Sequence, residues 1–119
     1  MTQVPEWFTN AKLGIFIHFG IYAVGDVSES WSFYHNTISH EDYMKQIEGF
    51  TCENFDADKW ADLIKKSGAK YSVFTTKHHD GVALFDTKYS DLSTVKKSPY
   101  KNDIVKEFTD AIRKRDIRV

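Results

Sequence analysis

Three histidines stand where apolar runs give way to polar sequence. His18 ends Leu13-Gly-Ile-Phe-Ile-His18-Phe-Gly20, and His78-His79 follow Ala69-Lys-Tyr-Ser-Val-Phe-Thr-Thr76-Lys77 and lead into Asp80-Gly81. A neutral imidazole donates through one nitrogen and accepts through the other, which suits a polyhydroxylated ligand. Trp31, Phe33 and Tyr34 lie between the two runs and offer either a stacking wall for such a ligand or packing for their own loop. Glu29 beside them reads as a hydroxyl acceptor or a surface acid, and Asp80 as the residue that fixes a histidine tautomer or the turn. A glycosidase needs two carboxyl groups about 5–5.5 Å apart for retention and farther apart for inversion, and spacing alone does not make Glu29 and Asp80 that pair. Histidine and carboxylate also ligate zinc or iron, so a metal-dependent hydrolase is a rival reading. A strand that binds metal usually sets two histidines two residues apart, however, and His18 has Phe16 in that position while His78 and His79 are adjacent. The expectation is therefore no metal and no cofactor.

The elements that must carry these residues can be read from periodicity. Leu13 to Gly20 lacks polar alternation before its histidine and reads as a strand buried on both faces. Ile21 to Phe55 reads as a long elaborated loop with one helical stretch near Glu41 to Ile47. Asp56 to Gly68 reads as a helix: Asp56 caps it, Trp60, Leu63, Ile64 and Ser67 share a face, Lys65 and Lys66 suit its negative end, and Gly68 stops it. Residues 69–76 are β-branched and aromatic, hence a second strand. Asp103 to Arg115 is a second helix with the stripe Ile104, Phe108, Ala111 and Ile112, and Asp116 to Val119 reads as the first residues of another strand. Alternation of this kind predicts an α/β fold with a parallel sheet and helical crossovers, and such folds bind ligands at the carboxyl ends of their strands.

Length and composition bound the rest. The chain has 119 residues, 41% hydrophobic and 28% charged, with two prolines and six glycines, which excludes disordered, collagen-like and low-complexity classes. A complete eight-stranded βα barrel takes about 250 residues, so only part of one fits here. No apolar run approaches the roughly 20 residues of a membrane span, and the first residues lack the pattern of a signal peptide; the compartment is left open. Net charge is −1, with seven acids against two bases over residues 40–62 and eight bases against four acids over 96–119. Those C-terminal bases alternate with apolar residues at helical spacing, as on a solvated helix face, so no nucleic-acid partner is expected. One cysteine, Cys52, forms no internal disulfide.

Longer motifs carry a resemblance. Trp7-Phe8-Thr-Asn-Ala-Lys-Leu13-Gly-Ile-Phe-Ile-His18-Phe-Gly20 resembles the opening of the α-L-fucosidases of glycoside hydrolase family 29. Phe55-Asp-Ala-Asp-Lys-Trp60-Ala-Asp-Leu-Ile-Lys-Lys-Ser-Gly68-Ala-Lys-Tyr71, Lys77-His-His-Asp-Gly81 and Pro99-Tyr-Lys-Asn-Asp103 are similar to later motifs of that family, in its order. The resemblance implies the N-terminal portion, about two βα units, of a (β/α)8 TIM-like barrel that hydrolyses terminal α-L-fucose from glycans with retention. It implies substrate contacts from His18, His78 and His79, and from a Glu-Trp pair that maps onto Glu29 and Trp31. Here the sequence departs, because Ser30 stands between the two and Ser30-Trp31 aligns equally well; Phe19 also replaces a common tryptophan. The family's nucleophile lies on a fourth strand and its acid/base later still. No catalytic residue is therefore expected within residues 1–119, and both reacting groups are expected beyond Val119. The expected domain is thus a partial barrel ending at the start of its third strand, with a fucosylated glycan as substrate. Its partner is the rest of the barrel, a complementing chain or a second copy. The alternative is a non-catalytic sugar-binding or assembly fragment.

Overall fold

The structure, a computed structural model, describes residues 3–29 and 31–119. Its two longest helices follow from capping and apolar spacing. The Asp56 carboxylate accepts from the Lys59 amide at 2.9 Å and starts a helix over Ala57–Lys66, and Asp103 accepts from the Lys106 amide at 2.8 Å to start one over Ile104–Arg113. Gly68, at φ +84°, ends the first in the left-handed region that favours glycine. Four further helical segments complete the set. In chain order the elements are α1 (Glu6–Ala11), β1 (Gly14–Ile17), a 3-10 turn (Ile21–Ala23), α2 (Trp31–Tyr34), α3 (His40–Lys45), a second 3-10 turn (Gln46–Gly49), α4 (Ala57–Lys66), β2 (Tyr71–Phe74), α5 (Thr94–Lys97) and α6 (Ile104–Arg113). The helix expected near Glu41 to Ile47 is α3 with its 3-10 extension.

β1 and β2 pair in parallel, from Gly14 opposite Tyr71 to Ile17 opposite Phe74. A third segment joins β2 in parallel at Arg118, whose carbonyl accepts from the Ser72 amide at 2.8 Å. The strand start expected over Asp116 to Val119 is thus reduced to this single bridge: Ile117 is buried, while Val119 is 47% exposed and pairs with neither strand. The architecture is the α/β alternation expected, in partial form. One face of the sheet is covered: Phe74 stacks on Phe108 of α6 at 4.5 Å, and α6 buries Ile104, Phe108, Ala111 and Ile112. Ile15 and Ile17 pack against that same core. The other face is covered at Tyr71, where Trp7 and Phe8 of α1 pack, but is otherwise open, with Phe16 59% and Val73 38% exposed. The expectation that the first strand is buried on both faces is therefore corrected. Ile15 and Ile17 point into the helix layer, whereas Phe16 lies on the other face beside the His18 ring, at 4.8 Å, and stays largely exposed.

The apolar face of α4 also differs from its sequence reading. Ala61 and Ile64 are buried and Trp60 is half-buried, but Leu63 is 66% exposed. The contact face runs through residues 57, 60, 61 and 64, and Leu63 falls one helical position outside it. Among the described residues, no helix is long and apolar enough to cross a membrane.

Candidate functional site

β1 and β2 end side by side; His18 directly follows β1, His78 lies in the segment beyond β2, and local bonds hold the backbone around each. Thr75 ties the two strand ends together: its hydroxyl accepts from the Phe19 amide at 2.9 Å, and its amide donates to the Ile17 carbonyl at 3.1 Å. Both neighbours of His18 are thereby held to the end of β2. Beyond β2 the chain turns tightly, with the Gly81 amide donating to the His78 carbonyl at 3.0 Å and Gly81 at φ +82°. The Leu84 amide then donates back to the Thr76 carbonyl at 2.9 Å, closing the segment onto the strand.

Asp80 is the anchor of this turn. One carboxylate oxygen accepts from the Val82 amide at 2.8 Å and the other from the Tyr43 hydroxyl at 2.8 Å, and Asp80 is buried. Both oxygens are engaged in holding the turn, one of the two roles foreseen for this residue. Tyr43 is fully buried on α3, and its hydroxyl also lies 3.4 Å from the Glu29 carbonyl. Burial, and then the Asp80 carboxylate, push its phenol well above the usual range, so it remains a donor.

Three side chains converge at the strand ends. One ligand-capable atom each from His18, Glu29 and His78 lies within 4.8 Å of the other two. The His18 and His78 rings are 5.7 Å apart, and Tyr22 meets His78 edge-on, also at 5.7 Å. His78 Nδ1 and the Tyr22 hydroxyl are shielded from solvent without a hydrogen-bond partner among the described residues. Burial, then the neighbouring His79, hold the His78 imidazole below its ordinary value, and a neutral ring keeps both a donor and an acceptor.

His79 turns away from His78, with ring centroids 5.0 Å apart at 81°, and joins Trp31, Phe33 and Tyr34 around an adjoining concavity. Trp31 is 54% exposed and stacks on His35 at 5.6 Å. Of the five side chains singled out from sequence, three meet directly, and His79 and Trp31 line the neighbouring hollow. Ser30 lies outside the described residues, so its alternative alignment with the family's Glu-Trp pair has no structural counterpart here; the carboxylate that reaches the histidines is that of Glu29. The nucleophile and acid/base expected beyond Val119 likewise lie outside the described residues, and Val119 itself is no member of the histidine cluster. Taken one strand at a time, histidine spacing speaks against a metal. Segments that follow the ends of two neighbouring parallel strands bring His18 and His78 together, and Glu29 adds the carboxylate. The positioning residues Thr75, Tyr43 and Tyr22 were not singled out from sequence. Only the general need of a buried tyrosine hydroxyl for a partner points to Tyr43.

The alpha-L-fucosidase family model matches residues 1–119. The chain belongs to the alpha-L-fucosidase family. It is 38% identical to the plasma alpha-L-fucosidase of Homo sapiens over 133 aligned positions, which cover 98% of this chain and 28% of that protein. It is 36% identical to the tissue alpha-L-fucosidase of Bos taurus, across 97% of this chain and 28% of that one. Among solved structures, the GH29 alpha-L-fucosidase of Bacteroides thetaiotaomicron superposes with a TM-score of 0.84 at 32% identity, covering 92% of this chain and 27% of that chain. The Thermotoga maritima alpha-fucosidase solved in complex with fucose superposes at 0.82 with 38% identity, covering 97% of this chain and 33% of that chain. This fucosidase-family chain thus spans about 28% of the length of the curated relatives it matches.

Proposed function

We propose that the chain forms one wall of the fucose subsite of a retaining exo-α-L-fucosidase, an enzyme that removes terminal α-L-fucose from glycans. In this reading residues 1–119 are about two βα units and the start of a third strand of a (β/α)8 barrel. His18, His78 and Glu29 hydrogen-bond the sugar hydroxyls, and His79 and Trp31 border the ring. The nucleophile and the acid/base come from beyond Val119, so these 119 residues alone bind but do not hydrolyse. The observation that carries this reading is the convergence of His18, Glu29 and His78 within 4.8 Å at the carboxyl ends of two parallel strands.

Two features support the division of labour. Asp80, the other acid near the histidines, has both oxygens engaged by Tyr43 and Val82, which leaves Glu29 without a second free carboxylate among the described residues to complete a catalytic pair. The open sheet face with Phe16 and Val73 exposed also fits completion by further barrel units, a complementing chain or a second copy.

The test is binding followed by turnover. L-Fucose shifts the His18 and His78 ring resonances in NMR spectra of the chain, with a dissociation constant of about 1 mM or weaker for so few contacts, and D-fucose does not. A folded chain in which neither ring responds to L-fucose overturns the reading. Hydrolysis of an aryl α-L-fucoside that survives purification and disappears in His78→Ala overturns the claim that the reacting groups lie elsewhere.

A further inference from the structure

We propose that His18, Glu29 and His78 also form a binding site for a divalent cation of the zinc class, which occupies the position of the sugar hydroxyls and competes with them. Two imidazoles and one carboxylate form a donor set that holds zinc with three protein ligands and leaves a fourth position open. The geometry is close to what the ion requires. Zinc–nitrogen and zinc–oxygen bonds of about 2.0–2.2 Å place tetrahedral ligand atoms about 3.3–3.5 Å apart, so a cluster already within 4.8 Å contracts by about 1.5 Å at most. The two residues that must move are free to do so, since His18 is exposed and Glu29 only half-buried. His78 is the fixed member: its turn is pinned through Asp80, and its Nδ1 is shielded from solvent without a partner among the described residues.

The site needs no rearrangement of the backbone. His18 directly follows β1 and His78 lies beyond the end of the neighbouring β2, and Thr75 holds the two strand ends together. A cation at this point neutralises the lone pairs that the sugar would use, so the two ligands exclude one another. The competition, though not the cation site itself, rests on the fucose reading above.

Calorimetry of the chain with zinc sulfate tests this, with one ion bound per chain as the expected result. His18→Ala and Glu29→Gln, both at accessible positions and hence compatible with folding, each weaken binding by at least the ten- to hundredfold that losing even an outer partner of a metal ligand costs, roughly. Electron paramagnetic resonance with copper(II) as probe shows two coordinated imidazole nitrogens in the unaltered chain and one in His18→Ala. Zinc affinity unchanged in both variants, or a nitrogen count unchanged in His18→Ala, overturns the proposal. L-Fucose added to the zinc-loaded chain separates the two readings. Displacement supports both, whereas zinc binding that depends on His18 and Glu29 but ignores L-fucose upholds the cation site and counts against the sugar.

Discussion

The Tyr43 hydroxyl donates to the Asp80 carboxylate at 2.8 Å, with Tyr43 fully buried and Asp80 nearly so. A residue on α3 thus holds the turn that presents His78 and His79, although neither partner joins the histidine cluster. Tyr43→Phe keeps the ring and removes the donor, leaving a buried carboxylate oxygen unsatisfied. A loss of about 1–3 kcal/mol is expected, measured as a lower denaturant midpoint with an unchanged slope. A midpoint equal to that of the unaltered chain shows that the Val82 amide suffices alone.

Thr75 makes a comparable tie between the strand ends. Thr75→Val preserves shape but removes the acceptor for the Phe19 amide. Hydrogen exchange at Phe19 should accelerate selectively, together with a global loss of about 1 kcal/mol. Uniform acceleration across β1 and β2 instead points to general destabilisation.

The chain should lose stability in alkali. Burial pushes the Cys52 thiol up to about 11; burial and Glu107 push the Tyr100 phenol up to about 12; burial and Asp80 raise Tyr43 further in the same direction. In each case the folded state keeps a proton that the unfolded chain has begun to lose at about pH 8.5–10. Stability from these groups is complete below that range and falls as pH rises through the folded values. Denaturant midpoints taken from about pH 8 upward should decline, and Tyr43→Phe should flatten the decline. A flat profile in the unaltered chain contradicts this.

The face that α4 buries gives a direct comparison. Ile64→Ala should cost about 2–4 kcal/mol, because Ile64 is only 5% exposed, whereas Leu63→Gln should stay within about 0.5 kcal/mol. Thermal melts of the two variants side by side decide it, and equal losses return Leu63 to the core.

What was legible in the sequence was what is local. Asp56 and Asp103 as caps, Gly68 as a stop and the α6 stripe all depend on neighbours within a turn or two, and each stands where the spacing put it. His18 and His78 were visible because chemistry at strand ends is restricted to few residue types, and Glu29 because it is the carboxylate beside the loop aromatics Trp31, Phe33 and Tyr34. The one-turn helices Trp31–Tyr34 and Thr94–Lys97 are too short for periodicity to register, and α1 buries no residue, so it has no apolar stripe to read. Leu63 was misassigned because an i, i+3 pattern admits two neighbouring faces, and only packing chooses between them. The Tyr43–Asp80 tie joins residues 37 positions apart, and the geometry that links them is absent from either segment alone.

The Thr75 tie between strand ends also fixes when the site exists. It joins Phe19 to a residue 56 positions away, and the two histidines flank that junction. α4 and α6 can begin to form from nearby sequence, but the junction waits for the parallel crossover to close, the slowest kind of step for a chain this size. Occupancy of the histidine cluster is therefore a clock for folding. A ligand seen at His18 and His78 together reports that the crossover has been completed, while helical signal alone does not.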